Sequence, residues 1–251
     1  MAESFHAGLS DRWQFDISIL SQEPTAKVRS TQSPDRETEI DLKRLGVDDR
    51  ETAGQIGARY RINDKWRTVL AYSPLNVSGT NTTDRSFNFA GKTFPLSSSV
   101  STDLELKTYI FAMDYAFQSS DTTEWGVGAG VHAIDLSIEF EGNLNDLTVV
   151  SSEDDLLAPL PNLRIYMKHA LSEKWLVGGS LGWLGADIDN YRGDLMIASV
   201  FVNYRVSENW TFGARYQGID INLKIDNSPD QEAYDIRLPG IALNLTYSIP
   251  N

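Results

Sequence analysis

The sequence YRVSENW at Tyr204–Trp210 is the clearest copy of a repeated pattern, which recurs as HALSEKW at His169–Trp175 and as YRINDKW at Tyr60–Trp66. A looser copy spans Phe117–Trp125. Each copy places a short polar stretch between a ring that ends one segment and a tryptophan that begins the next. Such stretches are typical of tight hairpin turns. The copies therefore predict hairpins whose turns all lie at the same end of the molecule.

The segments on either side of these turns alternate apolar and polar residues, as in Trp13–Ile19, Tyr109–Phe117, Trp210–Tyr216 and Ile241–Tyr247. A period of two is that of a β-strand, whereas a helix would repeat every 3.6 residues. One strand on each side of every turn gives about ten antiparallel strands, with about eight or twelve as the alternatives. The predicted strands span residues 12–22, 53–62, 66–77, 104–117, 125–138, 160–170, 175–186, 195–206, 210–223 and 235–248.

The connections at the other ends of these strands are long and polar. Short turns at one end and long extracellular loops at the other are typical of transmembrane, antiparallel up-and-down β-barrels of the bacterial outer membrane, where the short turns are periplasmic. The chain is therefore interpreted as an all-β protein with one barrel domain over residues 1–251, in which residues 1–11 form an N-terminal periplasmic leader and residues 12–248 form the barrel. Residues 38–45 and 85–96 are candidates for an additional hairpin outside the membrane. The predicted loops cover residues 23–52, 78–103, 140–158, 186–194 and 224–235.

The aromatic residues at the strand ends favour a membrane barrel over a soluble one. A soluble β-barrel that binds a small ligand would turn its apolar face inward. In a membrane barrel, amphipathic rings lie at the level of the lipid headgroups and form a girdle. The predicted girdle consists of Trp13, Tyr60, Trp66, Phe117, Trp125, His169, Trp175, Tyr204, Trp210 and Tyr247.

The composition narrows the function classes. The formal net charge is −13 and no run of Lys or Arg is present, which excludes a nucleic-acid binder because that role needs a basic patch. The 251 residues include no stretch that approaches 18 consecutive apolar residues, so a transmembrane helix is excluded. Met1–Ser4 lacks the basic and apolar regions of a secretory signal. The sequence is therefore predicted to be a mature bacterial outer-membrane protein without its signal peptide.

Four stretches carry a resemblance to a known family: Glu39–Asp49, Tyr60–Tyr72, Pro159–Pro161 and Leu238–Gly240. With them the chain resembles an uncharacterised family of proteobacterial outer-membrane β-barrel proteins over residues 26–247. The resemblance implies the fold and the compartment, and it supplies no catalytic or ligand-binding residue. Barrels of this kind usually end on an aromatic residue, whereas here the chain continues beyond Tyr247 to Asn251.

If the girdle rings face lipid, residues of the opposite parity face the lumen. This parity places eight cationic residues and two carboxylates inside, so a basic lumen is predicted. Two interpretations remain open: the arginines fill a narrow barrel, or their positive potential favours small anions. The predicted lumen-lining residues are Arg12, Asp16, Arg59, Arg61, Arg67, Asp114, His132, Arg164, Lys168, Arg205 and Arg215.

The sequence contains no recognisable catalytic motif. Of His6, His132 and His169, only His132 is predicted to face the lumen, and no nucleophile motif surrounds it. The acidic loops lack the spacing of an EF-hand calcium site. Neither enzymatic activity nor a metal or cofactor is therefore expected.

Three functions stay open. The first is a structural barrel or a narrow passive pore with a basic lumen. The second is a surface interaction or adhesion protein that acts through its long extracellular loops, and the third is a lipid-modifying enzyme or a protease. The predicted partners are outer-membrane lipid, lipopolysaccharide and small anionic solutes, without nucleic acid.

Overall fold

The computed structural model describes residues 6–32, 36–46, 50–84, 86–89, 92–144, 147–188, 191–227 and 230–250. Within these residues the chain forms a short helix, α1 (Ala7–Ser10), a 3-10 turn, η1 (Leu42–Leu45), and fifteen strands. No described helix is long and apolar enough to span a membrane. The strands are β1 (Trp13–Gln22), β2 (Thr25–Gln32), β3 (Arg36–Asp41), β4 (Glu51–Arg61), β5 (Trp66–Thr82), β6 (Phe87–Phe89), β7 (Lys92–Phe94), β8 (Ser99–Ser119), β9 (Thr123–Leu144), β10 (Leu147–Ala170), β11 (Trp175–Ile188), β12 (Tyr191–Arg205), β13 (Trp210–Asn227), β14 (Asp230–Arg237) and β15 (Gly240–Ile249).

Ten of the strands that the structure describes close into one antiparallel barrel. Around the barrel they follow the order β1, β4, β5, β8, β9, β10, β11, β12, β13 and β15, and β15 pairs with β1 to complete the circle. The closing ladder runs from Trp13 opposite Ile249 to Gln22 opposite Gly240. The predicted all-β fold and the predicted number of strands are confirmed. β6 and β7 form a separate hairpin within the predicted segment 85–96.

Three of the repeated turns share the same side-chain-to-backbone hydrogen bond. The backbone N–H of Trp66 donates to Asn63 Oδ1 at 2.9 Å, and the N–H groups of Trp175 and Trp210 donate to the hydroxyls of Ser172 and Ser207 at 3.1 and 3.2 Å. Short polar side chains that accept a local backbone hydrogen bond stabilise a turn because they satisfy an N–H that the ladder leaves unpaired. The pattern in the sequence is therefore a structural repeat.

Several strands are longer than a membrane crossing requires. β8, β9 and β10 contain 21, 22 and 24 residues, whereas about 9–11 residues cross a bilayer. The prediction of loops at residues 140–158, 186–194 and 224–235 is corrected accordingly. β9 continues to Leu144 and β10 begins at Leu147, and the other two predicted loops likewise lie mostly in strands. The barrel therefore extends well beyond the membrane on the side away from the aromatic turns.

We call the part of the barrel next to these turns the inner half, which includes Trp13–Ile19 of β1, and the remainder the outer half, which includes Asp135–Phe140 of β9. The burial pattern reverses between them. In the inner half the outward side chains are apolar and exposed, as for Ile17 and Ile19. In the outer half of β9, Leu136, Ile138 and Phe140 are buried inside, and the residues between them face outward. From residue 140 onward, polar residues such as Glu141 and Asn143 made the end of β9 look like a loop in the sequence.

Three strands, β2, β3 and β14, enlarge the outer half on one side. β14 pairs with the outer end of β13 and with β2, and β2 pairs with β3. β1 and β2 are thus two parts of a long strand that is interrupted at Glu23–Pro24, opposite the interruption at Leu238–Pro239 between β14 and β15. The N–H of Glu23 donates to the carbonyl of Pro239 at 2.9 Å and joins the two interruptions.

The 3-10 turn η1 packs against β5. Asn81 Nδ2 donates to the carbonyl of Arg44 at 2.9 Å. Gly46, directly after the turn, has a φ of 85°, and a Cβ there would collide with the backbone of Thr80. Glycine is therefore required at this position, since only it adopts a left-handed conformation without steric cost.

The lumen of the outer half is filled by an apolar core. Phe94 of β7 is completely buried within it and meets Phe140 edge to face, with ring centroids 6.0 Å apart. The loop that carries β6 and β7 thus contributes to the interior of the barrel. The apolar core includes Leu75, Phe94, Leu106, Ile134, Leu136, Ile138, Phe140, Leu160, Leu195, Ile221 and Leu238.

Candidate functional site

An aromatic girdle surrounds the barrel next to the turns. Among the described residues, four tryptophan–tyrosine pairs have ring centroids 4.4 to 5.0 Å apart. The two rings of each pair lie opposite each other on adjacent strands that a repeated turn does not connect. The girdle therefore links the hairpins to one another. The pairs are Trp13–Tyr60, Trp66–Tyr115, Trp175–Tyr204 and Trp210–Tyr247.

The other predicted girdle residues lie at the same end of the barrel. Trp125 is exposed in the third position of β9. Phe117 is exposed at a β-bulge that follows Ala116. His169 is half-buried, and its Nδ1 lies 2.7 Å from the hydroxyl of Thr123. His169 thus bonds to the neighbouring strand through its ring.

An apolar band lies beside the girdle on the outer surface of the inner half. Ile19, Val200 and Ile165 are 67%, 61% and 59% exposed. Such a continuous band of large exposed apolar side chains is expected only against hydrocarbon, since water would leave it uncovered. Beyond the band, outward cations pair with carboxylates, as Lys107 does with Glu105 at 2.9 Å. The band and the charged row beyond it mark the extent of the membrane.

Inside the inner half, an ionic layer crosses the lumen. Glu124 is completely buried and forms an ion pair with Arg67, and Lys168 Nζ lies 3.9 Å from Glu124 Oε1. Arg67 also donates to the hydroxyl of Tyr166 at 3.4 Å. A buried carboxylate shared by two cations satisfies the rule that buried charges are paired. This cluster joins β5, β9 and β10 across the lumen.

Two further ion pairs complete the ionic layer. Arg164 contacts both carboxylate oxygens of Asp114, with Nη2 at 2.7 and 2.8 Å and Nε at 2.9 Å. Arg59 pairs with Asp16 at 3.4 Å. Gly128 lies between Asp114 and Arg164, and a Cβ there would collide with both side chains. The glycine in β9 therefore makes room for a bidentate pair, which is the strongest common form of ion pair.

A cavity of about 230 Å³ lies between the ionic layer and the apolar core. Charged and polar residues line one end of it and aliphatic residues line the other. The polar end includes Asp16, Arg59, Asp114, His132, Asn162, Arg164, Lys168 and Arg215, and the apolar end includes Leu75, Leu106, Ile134, Leu195, Ile219 and Ile221. The candidate functional site is this amphipathic cavity.

The N-terminal segment occupies the mouth of the barrel next to the turns. Leu9 of α1 is buried in a small cluster with Ala170, Leu176 and Phe201. The carbonyl of Leu9 accepts hydrogen bonds from Arg61 and, at 3.4 Å, from Arg67. Backbone and side-chain contacts therefore hold the segment against the ionic layer.

Two titratable groups of this segment are perturbed. Burial lowers the pKa of His6, with a smaller contribution from the charge of Arg205, against a hydrogen bond with the backbone of Lys174. Burial also raises the pKa of Asp11, against a hydrogen bond with Ser248. Docking of the segment therefore favours the uncharged form of both groups.

The comparisons with known proteins agree with this geometry. The sequence matches no family model and no curated protein. Among solved structures, the outer-membrane protease OmpT from Escherichia coli matches with a TM-score of 0.63 at 10% identity, over 94% of this chain and 97% of that protein. The chain has the fold of an outer-membrane β-barrel.

Two other solved outer-membrane β-barrels match over most of their length. The translocator domain of the autotransporter NalP from Neisseria meningitidis has a TM-score of 0.48 at 12% identity, over 94% of this chain and 88% of that domain. The toluene transporter TodX from Pseudomonas putida has a TM-score of 0.39 at 10% identity, over 100% of this chain and 93% of that protein. At these identities the likeness concerns the fold alone.

Most of the predicted lumen-lining residues of this outer-membrane β-barrel lie in or beside the ionic layer, and two differ. Arg12 is exposed, donates to the hydroxyl of Tyr60 at 3.2 Å and lies over its ring. It therefore packs against the aromatic girdle and does not line the lumen. Arg205 bends back to the turn and donates to the carbonyls of Ser207 and Glu208 at 3.2 and 3.0 Å. Arg205 therefore lies at the mouth of the barrel.

Three residues that shape the interior and the girdle were not predicted from the sequence: Glu124, Tyr166 and Tyr115. Glu124 precedes an outward tryptophan, so parity alone would have placed it inside the barrel. It looked like a turn residue because the strands after the other repeated turns begin at their tryptophan. β9 instead begins at Thr123, two residues before Trp125. The missed Glu124 reduces the predicted charge imbalance of the lumen.

Proposed function

We propose that this protein is a closed, non-conducting outer-membrane β-barrel whose outer half is held outside the cell as a rigid surface structure. The apolar core carries this proposal. Leu106, Ile134 and Leu195 face the lumen and are 2% exposed or less. A water-filled channel would leave lumen-facing side chains solvated, and burying aliphatic groups together stabilises the closed form by about 25 cal/mol for each Å² removed from water.

The ionic layer and the N-terminal segment support the same proposal from the other side of the cavity. An ion crossing the barrel would have to separate the Arg67–Glu124 and Arg164–Asp114 pairs and displace Leu9. Each of these contacts is made between different strands or elements, so one rearrangement does not release all of them. Three barriers along the barrel axis therefore support the proposal: the N-terminal segment, the ionic layer and the apolar core.

Conductance across a planar lipid bilayer tests the proposal. The purified barrel is expected to insert without conductance steps. A variant that opens the three closures together, with Leu106→Ser, Leu195→Ser and Ile221→Ser in the apolar core, Arg67→Ser and Arg164→Ser in the ionic layer and Leu9→Ser in the N-terminal segment, should begin to conduct, whereas the three core changes alone should not. The control, with Leu163→Ser, Leu243→Ser and Ile165→Ser on the outer surface, should remain silent. Regular conductance steps from the unmodified protein would refute the closed barrel.

A narrow pore for small anions is the second candidate, and one observation favours it. Among the described residues of the ionic layer and the cavity, five cations (Arg59, Arg67, Arg164, Lys168 and Arg215) face three carboxylates (Asp16, Asp114 and Glu124). The surplus positive charge would favour anions in any continuous water path. Reversal potentials in a salt gradient decide this: conductance with anion preference would establish the pore in place of the closed barrel, and cation preference would dismiss it.

The proposed partners are outer-membrane lipids along the apolar band and lipopolysaccharide at its outer edge. Lys107, Arg192 and Arg237 are positioned there, each within an ion pair to a neighbouring carboxylate. Their combined replacement by Gln should reduce the lipopolysaccharide that co-purifies with the barrel. Arg12→Gln, an exposed change at the opposite end, is the matched control. Equal retention by both variants would remove this partner.

The proposal includes no catalytic role. His132 lines the cavity and is 7% exposed. His132→Ala is expected to leave the lipid and peptide profiles of cells that carry the barrel unchanged. A reproducible difference in either profile would instead favour an enzyme.

A further inference from the structure

The cavity between the ionic layer and the apolar core has the chemistry of a ligand site, with one cationic end and one apolar end. We propose that it binds a small monocarboxylic acid with a compact apolar body, its carboxylate at Arg215 and its hydrocarbon against the apolar core. This inference goes beyond the closed barrel, because a barrel that conducts no ions can still bind a solute in its interior.

Arg215 is a cation of the described cavity lining that lacks a balancing charge. Its Nη2 donates to Gln55 Oε1, a neutral acceptor, and its Nε has no hydrogen-bond partner. Within the part of the chain that the structure describes, Arg215 makes no ion pair, whereas Arg59, Arg164 and Lys168 each have a carboxylate within 4 Å. A buried guanidinium without a carboxylate is costly. A ligand carboxylate would supply the missing partner in the bidentate geometry that arginine favours.

Two buried amides that also line the cavity have unsatisfied atoms. Asn162 Nδ2 and Gln22 Oε1 have no hydrogen-bond partner, and the two residues are only 4% and 3% exposed. A buried polar group without a partner costs about 1–3 kcal/mol. These atoms offer one donor and one acceptor to a bound molecule or to the water that accompanies it.

The net charge of the cavity lining favours a ligand of the opposite charge. Of the described lining residues, Arg59, Arg164, Lys168 and Arg215 are cationic, and Asp16 and Asp114 are anionic. The surplus is two positive charges, so an anion is favoured over a neutral or cationic molecule of the same shape. A single carboxylate matches the one arginine of the described lining without an ion pair, which argues against a phosphate or a dicarboxylate.

The volume and the apolar end limit the size of the body. The cavity measures about 230 Å³, and a dry cavity of about 150 Å³ accommodates benzene. A ring or a short branched chain together with one carboxylate, roughly nine or ten non-hydrogen atoms in all, fills the space by this scale. Leu75, Ile134 and Leu195 would cover the hydrocarbon on its outer side.

Calorimetric titration of the detergent-solubilised full chain with benzoate, benzamide and benzamidine tests the proposal. The three probes share a shape and carry negative, no and positive charge. Benzoate should bind at least about tenfold more tightly than benzamide, and benzamidine should not bind. Acetate, which keeps the charge and loses the apolar body, should also bind at least about tenfold more weakly than benzoate. No binding of benzoate, or equal binding of all three isosteres, would overturn the proposal.

Variants locate the site. Arg215→Gln should reduce benzoate affinity to that of benzamide and leave benzamide unchanged, and Arg215→Lys should restore part of the difference. Arg50→Gln, at an exposed arginine that precedes β4, is the matched control and should bind like the unmodified protein. Heat-modifiable migration on a gel verifies that each variant is folded. Benzoate binding that survives Arg215→Gln would contradict the assignment, whereas conductance measurements test closure separately.

Discussion

The same strands run through both halves of this barrel, but lipid surrounds the inner half and water surrounds the outer half. In the inner half, Ile17 and Ile19 face outward and Asp16 faces the lumen, while in the outer half of β9, Glu139 faces outward and Ile138 is buried inside. Hydrocarbon outside the inner half requires an apolar exterior, and water outside the outer half requires a polar one. One strand therefore changes its pattern where its surroundings change.

The polarity of the interior is therefore set by the solvent that covers the exterior. When lipid covers the outside, the inside is left for paired charges such as Arg164 and Asp114. When water covers the outside, the inside becomes an ordinary apolar core with Leu106 and Ile134. The cavity lies where the two kinds of interior meet, which explains why its two ends differ in polarity.

The largest expected effect comes from breaking the polar interior of the inner half. Glu124→Ala would leave Arg67 and Lys168 buried without their shared carboxylate, and it should lower the free energy of unfolding by about 3–5 kcal/mol. Urea unfolding in lipid vesicles measures this. Glu105→Ala, which removes a half-exposed partner of Lys107, is the control and should change the stability by less than about 1 kcal/mol. Equal effects of the two changes would mean that the ionic layer adds no more stability than a surface pair.

Truncating one leucine to alanine in each half compares the buried core of the outer half with the lipid-facing surface of the inner half. Leu106→Ala in the apolar core should cost about 2–5 kcal/mol because it opens a cavity among completely buried side chains. Leu163→Ala in the apolar band, where the leucine is 54% exposed to lipid, should cost much less because lipid fills the space. Both are measured by denaturant unfolding in vesicles. A larger loss for Leu163→Ala would contradict the placement of the core.

The smallest effect concerns the N-terminal segment at the mouth of the inner half. The docked state lowers the pKa of His6 below its ordinary value of 6.5. The neutral His6 side chain therefore stabilises the docked segment fully above pH 6.5. This contribution is lost as the pH falls from 6.5 through the lowered pKa. The raised pKa of Asp11 acts in the opposite sense, because protonation at low pH relieves its burial.

Amide hydrogen exchange of Leu9 as a function of pH measures this balance. Between pH 7.5 and pH 6, exchange at Leu9 should accelerate relative to the intrinsic rate by up to a few fold. His6→Gln should remove the acceleration at lower pH, and Asp11→Asn should make it steeper. Faster opening as the pH rises through this window would show that the charged histidine, and not the neutral one, is docked.

The sequence predicted those features that depend on local chemistry. The turns could be recognised because Asn63, Ser172 and Ser207 act within three residues of their tryptophans. The inner strands could be recognised because the apolar band alternates with polar residues. The position of Trp175 opposite Tyr204 was not predicted as a pair, because it depends on the register between strands.

The features that the sequence did not predict depend on long-range contacts or on a change of solvent. The outer ends of these strands read as loops because polar residues such as Glu141 and Asn143 alternate with the buried positions there and break the pattern expected of a lipid-facing strand. Phe94 is buried only because its loop folds back onto Phe140, 46 residues along the chain. The cavity depends on which cations find carboxylates, and only the fold shows that Arg215 does not.

The tryptophan–tyrosine pairs have a consequence for how the barrel closes. Since each pair joins strands that a repeated turn does not connect, no hairpin formed by a repeated turn holds a complete pair, and Trp66 of β5 meets Tyr115 only when β8 pairs with β5 in the correct register. A slip of one residue would send one ring of the pair toward the enclosed charges, because side chains alternate between faces. The correct register therefore brings the four described tryptophan–tyrosine pairs together at the membrane boundary, and a misaligned assembly intermediate would lose these ring contacts.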